Sequence, residues 1–200
     1  MHLITSYSPN RLPRFKEVVY DACNAGVSVV QFSFHGDDIQ AYRLAEWVRK
    51  TTLDFNVLMC VNNRLDIANI VNADFLHIGQ NDLPINVVRK HLDPSIKIGL
   101  TVTNVCEFNE LADYYGVGPV LPTFTKNIRN DAIGFDRLGD ICRQSNKPVV
   151  GIGGVDINNA KDFINSGCDD VAVIGDIYES DSVYDQVKKY EGLKYKAVTH

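Results

Sequence analysis

Short apolar runs and longer mixed stretches alternate along the whole 200-residue chain. Consecutive apolar positions read as strands buried on both faces, and apolar residues three and four apart read as helices. The pattern predicts strands over 2–5, 28–33, 56–60, 75–78, 97–102, 114–117, 149–152 and 171–174. It predicts helices over 12–25, 38–51, 65–71, 84–91, 104–112, 135–144, 157–166 and 177–190. Punctuation agrees. Pro84 suits a first helical turn, where its missing N–H has no partner to lose. Asp156 and Asn104 can cap free backbone donors, and Gly26 and Gly167 suit the left-handed position after a helix.

A degenerate phrase marks four helix-to-strand junctions: a small residue, often an acidic one, then an apolar run. Its copies are Ala25-Gly26-Val27-Ser28-Val29-Val30, Ala73-Asp74-Phe75-Leu76-His77-Ile78, Ala112-Asp113-Tyr114-Tyr115-Gly116-Val117 and Gly167-Cys168-Asp169-Asp170-Val171-Ala172. Eight two-faced strands separated by helices imply a parallel sheet covered by helices. The expected fold is α/β, a single compact (β/α)8 TIM barrel over residues 1–200; a doubly wound sheet of five or six strands is the alternative. Eight units in 200 residues leave about 25 each, short against about 250 residues for a typical barrel. Loops must be tight, so the long polar segment 122–133 draws attention as functional.

Composition narrows the partners. The net charge of −5 and scattered Lys and Arg argue against nucleic acid, which needs a clustered basic surface. No apolar run reaches the roughly 18 residues of a membrane span, and the start Met1-His2-Leu3-Ile4-Thr5 lacks the pattern of a secretory signal. Cys23, Cys60, Cys106, Cys142 and Cys168 are odd in number, with no close Cys-x-x-Cys pair. They read as reduced thiols of a cytoplasmic protein. A homodimer is a possible assembly.

A barrel carries its site at the C-terminal strand ends. That rule selects Gln31, Ser33 and His35; Asn62, Asn63 and Arg64; Gly79, Gln80 and Asp82; Thr101 and Thr103; Gly118, Pro119, Thr123, Thr125 and Lys126; Gly151, Gly153 and Gly154; Gly175 and Asp176. Amides, hydroxyls, one lysine and bare backbone suit a small phosphorylated ligand. Gly151-Ile152-Gly153-Gly154, followed by a second strand ending at Gly175, suits phosphate held by backbone N–H groups; the plainer reading is a tight turn. Asp82, near the amides of Asn62 and Asn63, can hold Mg²⁺ through oxygen, or merely cap the helix that Pro84 opens. Thr123, Thr125 and Lys126 can bind phosphate or form a solvated loop. His77, inside an apolar run, reads as a packed core histidine.

Four phrases in this order resemble the thiamine phosphate synthase (thiamine-phosphate pyrophosphorylase) family across nearly the whole chain. They are Val61-Asn62-Asn63-Arg64-Leu65-Asp66-Ile67-Ala68, the run from Ala73 to Pro84, the run from Gly116 to Lys126, and Gly151-Ile152-Gly153-Gly154-Val155. The resemblance implies a Mg²⁺-dependent transferase. It would join hydroxymethylpyrimidine pyrophosphate to hydroxyethylthiazole phosphate, releasing pyrophosphate by a dissociative course. It places Gln31 on the pyrimidine, Asn62 and Thr101 on the pyrimidine or its pyrophosphate, Asp82 on Mg²⁺ and Lys126 on pyrophosphate. Thr123, Thr125 and Gly154, with backbone at Gly153, Ile174 and Gly175, would meet the thiazole phosphate.

The chain also departs from that pattern. Ser33 and His35 stand where the family has Arg and Lys, Asn63 stands where it has a second metal carboxylate, and Gly175 replaces a common serine. Removing one group that stabilises developing charge costs about 10²–10³ in rate, so weakened or altered activity is expected. Arg64, Arg129 and a protonated His35 are the candidate substitutes. A non-catalytic barrel that binds thiazole phosphate or thiamine phosphate, as sensor or carrier, is one alternative reading. A thiazole tautomerase is another, disfavoured because its catalytic histidine falls at Pro119.

Overall fold

A computed structural model describes residues 1–5, 12–122 and 132–193. Eight strands close into a parallel barrel in sequence order: β1 (His2–Ile4), β2 (Val29–Phe32), β3 (Leu58–Asn62), β4 (Phe75–Ile78), β5 (Lys97–Val102), β6 (Tyr114–Val117), β7 (Val149–Ile152) and β8 (Asp170–Val173). Around them run α1 (Leu12–Asn24), α2 (Asp38–Asp54), α3 (Leu65–Ile70), α4 (Ile85–His91), α5 (Gly134–Gln144), α6 (Ala160–Asn165), α7 (Gly175–Tyr178) and α8 (Val183–Glu191).

Strand alternation divides the apolar residues into two cores. Outward residues such as Val30, Phe32, Val61, Leu76, Leu100 and Val117 pack under the helices. Inward residues Ile4, Val29, Cys60, Phe75, Tyr114, Val150 and Ala172 fill the barrel. Two inner positions are glycines. A Cβ on Gly99 would strike the Tyr114 ring, and one on Gly116 would lie 2.8 Å from His77 Cε1. Bare backbone there lets two large rings lie across the barrel.

The recurring junction phrase has a physical basis. Asp74, Asp113 and Asp169 each precede an even-numbered strand, and each carboxylate accepts the first free N–H of the preceding odd strand: Met59 at 2.7 Å, Ile98 at 2.7 Å and Val149 at 2.8 Å. The aspartate's own N–H returns to the same residue's carbonyl. Ser28 does the equivalent before β2, accepting from the Met1 amine at 3.0 Å. The barrel is therefore clasped in pairs: β1–β2, β3–β4, β5–β6 and β7–β8.

Three elements differ from the periodicity. Strand β3 begins two residues late, because Asn56 takes φ 54° in the turn leaving α2, and this carries Asn62 into the strand opposite His77. The helix expected over 104–112 stops after one 3-10 turn, Val105–Glu107. Asn104 and Glu107 form the capping box that starts it. Lys147 Nζ then takes up the carbonyls of Glu110 and Ala112, and Tyr115 OH takes that of Asn109, which removes the need for helical partners. The helix expected over 177–190 is two helices, because Ser182 caps a new start by accepting from Asp185 N–H.

Candidate active site

The C-terminal mouth of the barrel gathers most of the sequence-predicted residues. Gln31 and Asn62 stand side by side at the ends of β2 and β3, with Gln31 Nε2 donating to Asn62 Oδ1 at 2.9 Å. The bond fixes which way each amide points. Ser33, just past β2, is only 7% exposed. Its N–H donates to Thr5 Oγ1 at 2.9 Å. His35, two residues further, is exposed, so the Gln31–Ser33–His35 ladder climbs from the interior to solvent.

On the next strands a polar chain crosses the interior. Tyr114 OH lies 2.9 Å from His77 Nδ1, and His77 Nε2 lies 2.8 Å from Thr101 Oγ1. Gln80 Nε2 donates to the Thr101 carbonyl at 2.7 Å. His77 is packed, as its apolar setting implied, but it also holds the hydroxyl of a predicted site residue. Its role and that of Tyr114 escaped periodicity; the interior-strand glycines Gly99 and Gly116 were the available signal, since they make room for both rings. Burial beside Cys60 pushes the Tyr114 phenol well above its ordinary range, which keeps it a neutral hydrogen-bonding group. Burial likewise pushes the Cys60 thiol up to about 12.

Asn63 lies just past β3 at φ 64°, a left-handed conformation that Asn and Asp tolerate. Arg64 is tied at 2.9 and 2.6 Å to Asp66 and at 3.0 Å to Asp38. Its charge is met by two carboxylates of its own surroundings. Asp82 accepts the Gly79 N–H at 2.6 Å through Oδ2, and its other oxygen carries no hydrogen bond among the described residues. Among those residues no group of three or more His, Cys, Asp or Glu is arranged around a metal. A single carboxylate with one uncommitted oxygen fits a Mg²⁺ ion that shares its shell with substrate phosphate and water, not an all-protein cage.

Opposite β3 in the closed ring stand β7 and β8. Gly153 and Gly154 have φ 98° and 67°. A Cβ on Gly153 would lie 2.6 Å from Pro119, and one on Gly154 2.6 Å from Leu121. The glycines thus serve the packing of one rim loop on the next. They also leave their N–H groups without an acceptor among the described residues, while Asn159 Nδ2 pins the Gly154 carbonyl at 2.8 Å. Past β8, Ile174 and Gly175 lead into α7. Asp176, next in line, is turned away: its carboxylate accepts from Gln186 at 2.7 Å and Tyr190 OH at 2.6 Å. Thr123, Thr125, Lys126 and Arg129 lie outside the described residues. No helix among the described residues is long and apolar enough to cross a membrane.

A closed parallel barrel whose C-terminal mouth carries amide, hydroxyl and carboxylate side chains from β2–β5 and the loops after them defines the class as a (β/α)8 barrel protein. Comparison with known proteins narrows the class. A family model described as thiamine monophosphate synthase matches residues 1–177. A thiamine-phosphate synthase of Dictyoglomus thermophilum is 34% identical over 86% of this chain and 79% of its own length. Another, from Clostridium novyi, is 36% identical over 92% of each. The structure of a thiamine phosphate pyrophosphorylase from Pyrococcus furiosus superimposes with a TM-score of 0.84 at 29% identity, covering 96% of this chain and 93% of that one. The chain belongs to the thiamine monophosphate synthase family.

Proposed function

We propose that the protein joins hydroxymethylpyrimidine pyrophosphate to hydroxyethylthiazole phosphate, with a reduced hold on the pyrophosphate. The reading rests on one arrangement: the oriented Gln31–Asn62 amide pair across the mouth from the Gly153 and Gly154 N–H groups, which have no acceptor among the described residues. The first offers fixed donors and acceptors to a flat heteroaromatic ring. The second offers N–H groups to a phosphate. Two substrates bound this way meet over Thr101, near the barrel axis.

In the reaction the C–O bond to pyrophosphate breaks, the electron pair leaves with the pyrophosphate, and the thiazole nitrogen closes on the resulting pyrimidine cation. The protein's part is orientation and charge stabilisation. Gln31 and Asn62 orient the ring, and Thr101, steadied by His77, presents its hydroxyl to the departing side. Gly153, Gly154, Ile174 and Gly175 hold the thiazole phosphate, with Thr123, Thr125 and Lys126 completing the anion contacts. Asp82, assisted by Asn63, would hold Mg²⁺, which when bound neutralises pyrophosphate charge.

Ser33, His35 and Asn63 carry fewer charges than this chemistry favours, and Arg64 is engaged by Asp66 and Asp38 and so is a poor substitute. Purified protein with both substrates and Mg²⁺ should therefore form thiamine phosphate slowly. Turnover at the level of an ordinary family member would remove the weakened-clamp reading. The variant Ser33→Arg/His35→Lys/Asn63→Asp should turn over faster; if it folds and stays inert, the pyrimidine substrate is a different one. Thiazole phosphate alone should raise the thermal midpoint by mass action. A clear shift with no turnover under any of these conditions would instead favour the non-catalytic binding barrel. Pro119 offers no titratable group where a tautomerase needs one.

A further inference from the structure

Cys142 lies in the last turns of α5, and Cys168 stands between α6 and β8. They are 26 residues apart, yet their sulfurs approach to 4.0 Å. The close approach is built into the backbone. Gly167, at φ 108°, has no Cβ, and one placed there would lie 2.9 Å from Cys142 Cβ. On the far side, a Cβ on Gly151 would lie 2.9 Å from Cys168 Sγ. Two glycines thus seat the Cys168 sulfur against β7 and bring the 167–168 backbone against Cys142. A disulfide requires about 2.05 Å between sulfurs, so closure needs the two sulfurs to approach by about 2 Å more.

The remaining cysteines are differently placed. Cys23 and Cys60 are buried, and burial pushes each thiol up to about 12. Cys106 is exposed with no second sulfur recorded near it. Only Cys142 is both partly open to solvent and beside another thiol.

We infer that Cys142 and Cys168 form a modification site: a dithiol that a hydroperoxide converts to an internal disulfide joining α5 to the start of β8. In the first step the Cys142 thiolate attacks the peroxide oxygen. The O–O bond breaks, hydroxide or alkoxide leaves, and Cys142 becomes a sulfenic acid. In the second, Cys168 loses its proton and attacks that sulfur. The S–O bond breaks, water leaves, and the S–S bond forms. Two thiols lose two electrons, which reduce the peroxide to water, or to an alcohol and water. The order follows exposure, since Cys142 is the sulfur a solvent-borne peroxide can reach. The hydrogen bond with Cys168 also holds the Cys142 thiol below its ordinary range, which favours its thiolate as the first nucleophile.

The test uses the full chain, reduced, freed of reductant and treated with a small excess of hydrogen peroxide. Remaining thiols are blocked before intact mass and tryptic mapping. The expected product is lighter by two hydrogen atoms, with the Cys142 peptide linked to the Cys168 peptide, and dithiothreitol reverses it. Cys106→Ser should leave the conversion unchanged, and Cys142→Ser should abolish it. Cys168→Ser, where it folds, should stop at a sulfenic acid on Cys142 that dimedone traps. A cross-link through Cys106, oxygen addition without a cross-link in the unmodified chain, or full conversion in Cys142→Ser would overturn the assignment.

Discussion

Thr101 presents a fixed hydroxyl because His77 Nε2 holds it at 2.8 Å. Thr101→Val should keep the shape and remove the hydroxyl that meets His77 Nε2, a loss of about 1–3 kcal/mol. Steady-state kinetics should show kcat/KM falling about tenfold to a hundredfold, each tenfold corresponding to about 1.4 kcal/mol. His77→Phe should reproduce much of that loss without touching substrate. Gly154 poses a different constraint. At φ 67°, with Leu121 Cβ 2.6 Å from where its own would stand, Gly154→Ala should destabilise the fold by about 1–2 kcal/mol. It should also abolish the thermal shift given by thiazole phosphate, as a ligand titration would record. Of these residues, Gln31, Asn62 and Gly154 were legible from their place at strand ends. Tyr114 was not, because a Tyr in an apolar run looks the same whether it packs outward or inward. Only the register, with Gly99 opposite it, distinguishes the two.

The aspartates before β4, β6 and β8 link sequence repeat to strand pairing. Asp169→Ala should leave the Val149 N–H buried without its acceptor, lowering stability by about 1–3 kcal/mol. Asp169→Asn, which keeps a carbonyl oxygen, should lose less, and urea midpoints would rank the two. All eight strands were readable because strands apolar on both faces leave continuous runs. Helix bounds were less so. The stretch 104–112 has a helix start signal but ends after one turn, because Lys147, from the loop before β7, competes for its carbonyls. That competitor lies 35 residues from Ala112, beyond what any local pattern contains.

At the opposite end from the site, His2 is buried, its Nε2 without a hydrogen-bond partner among the described residues and 3.6 Å from Asp170. Burial, assisted by the nearby Met1 ammonium, lowers its pKa from 6.5 to about 3. The unfolded chain therefore binds a proton that the folded one refuses, and stability falls as pH drops from about 6.5 toward 3. Asp170 acts oppositely: burial raises its pKa, so protonation favours the fold just above the usual carboxylate range. Between pH 6.5 and 5 the histidine dominates, with a loss of roughly 1–2 kcal/mol. Urea melts at pH 7 and 5 should show it, and His2→Leu should flatten the difference. The net charge of −5 sets none of this; one buried ring does.

The paired clasps also say where the ring can be opened. The Met1 amine lies 3.7 Å from the Glu191 carboxylate, so Met1 and the end of α8 stand close enough for a linker to join them. New ends placed at 93–95, between β4 and β5, would leave every aspartate with the strand it holds. New ends at 72–73 would put Asp74 at a chain terminus, free to release Met59. The first circular permutant should keep nearly the parent's thermal midpoint, and the second should melt earlier. Such a ring is four side-chain clasps in series, and an opening between two clasps spares them all.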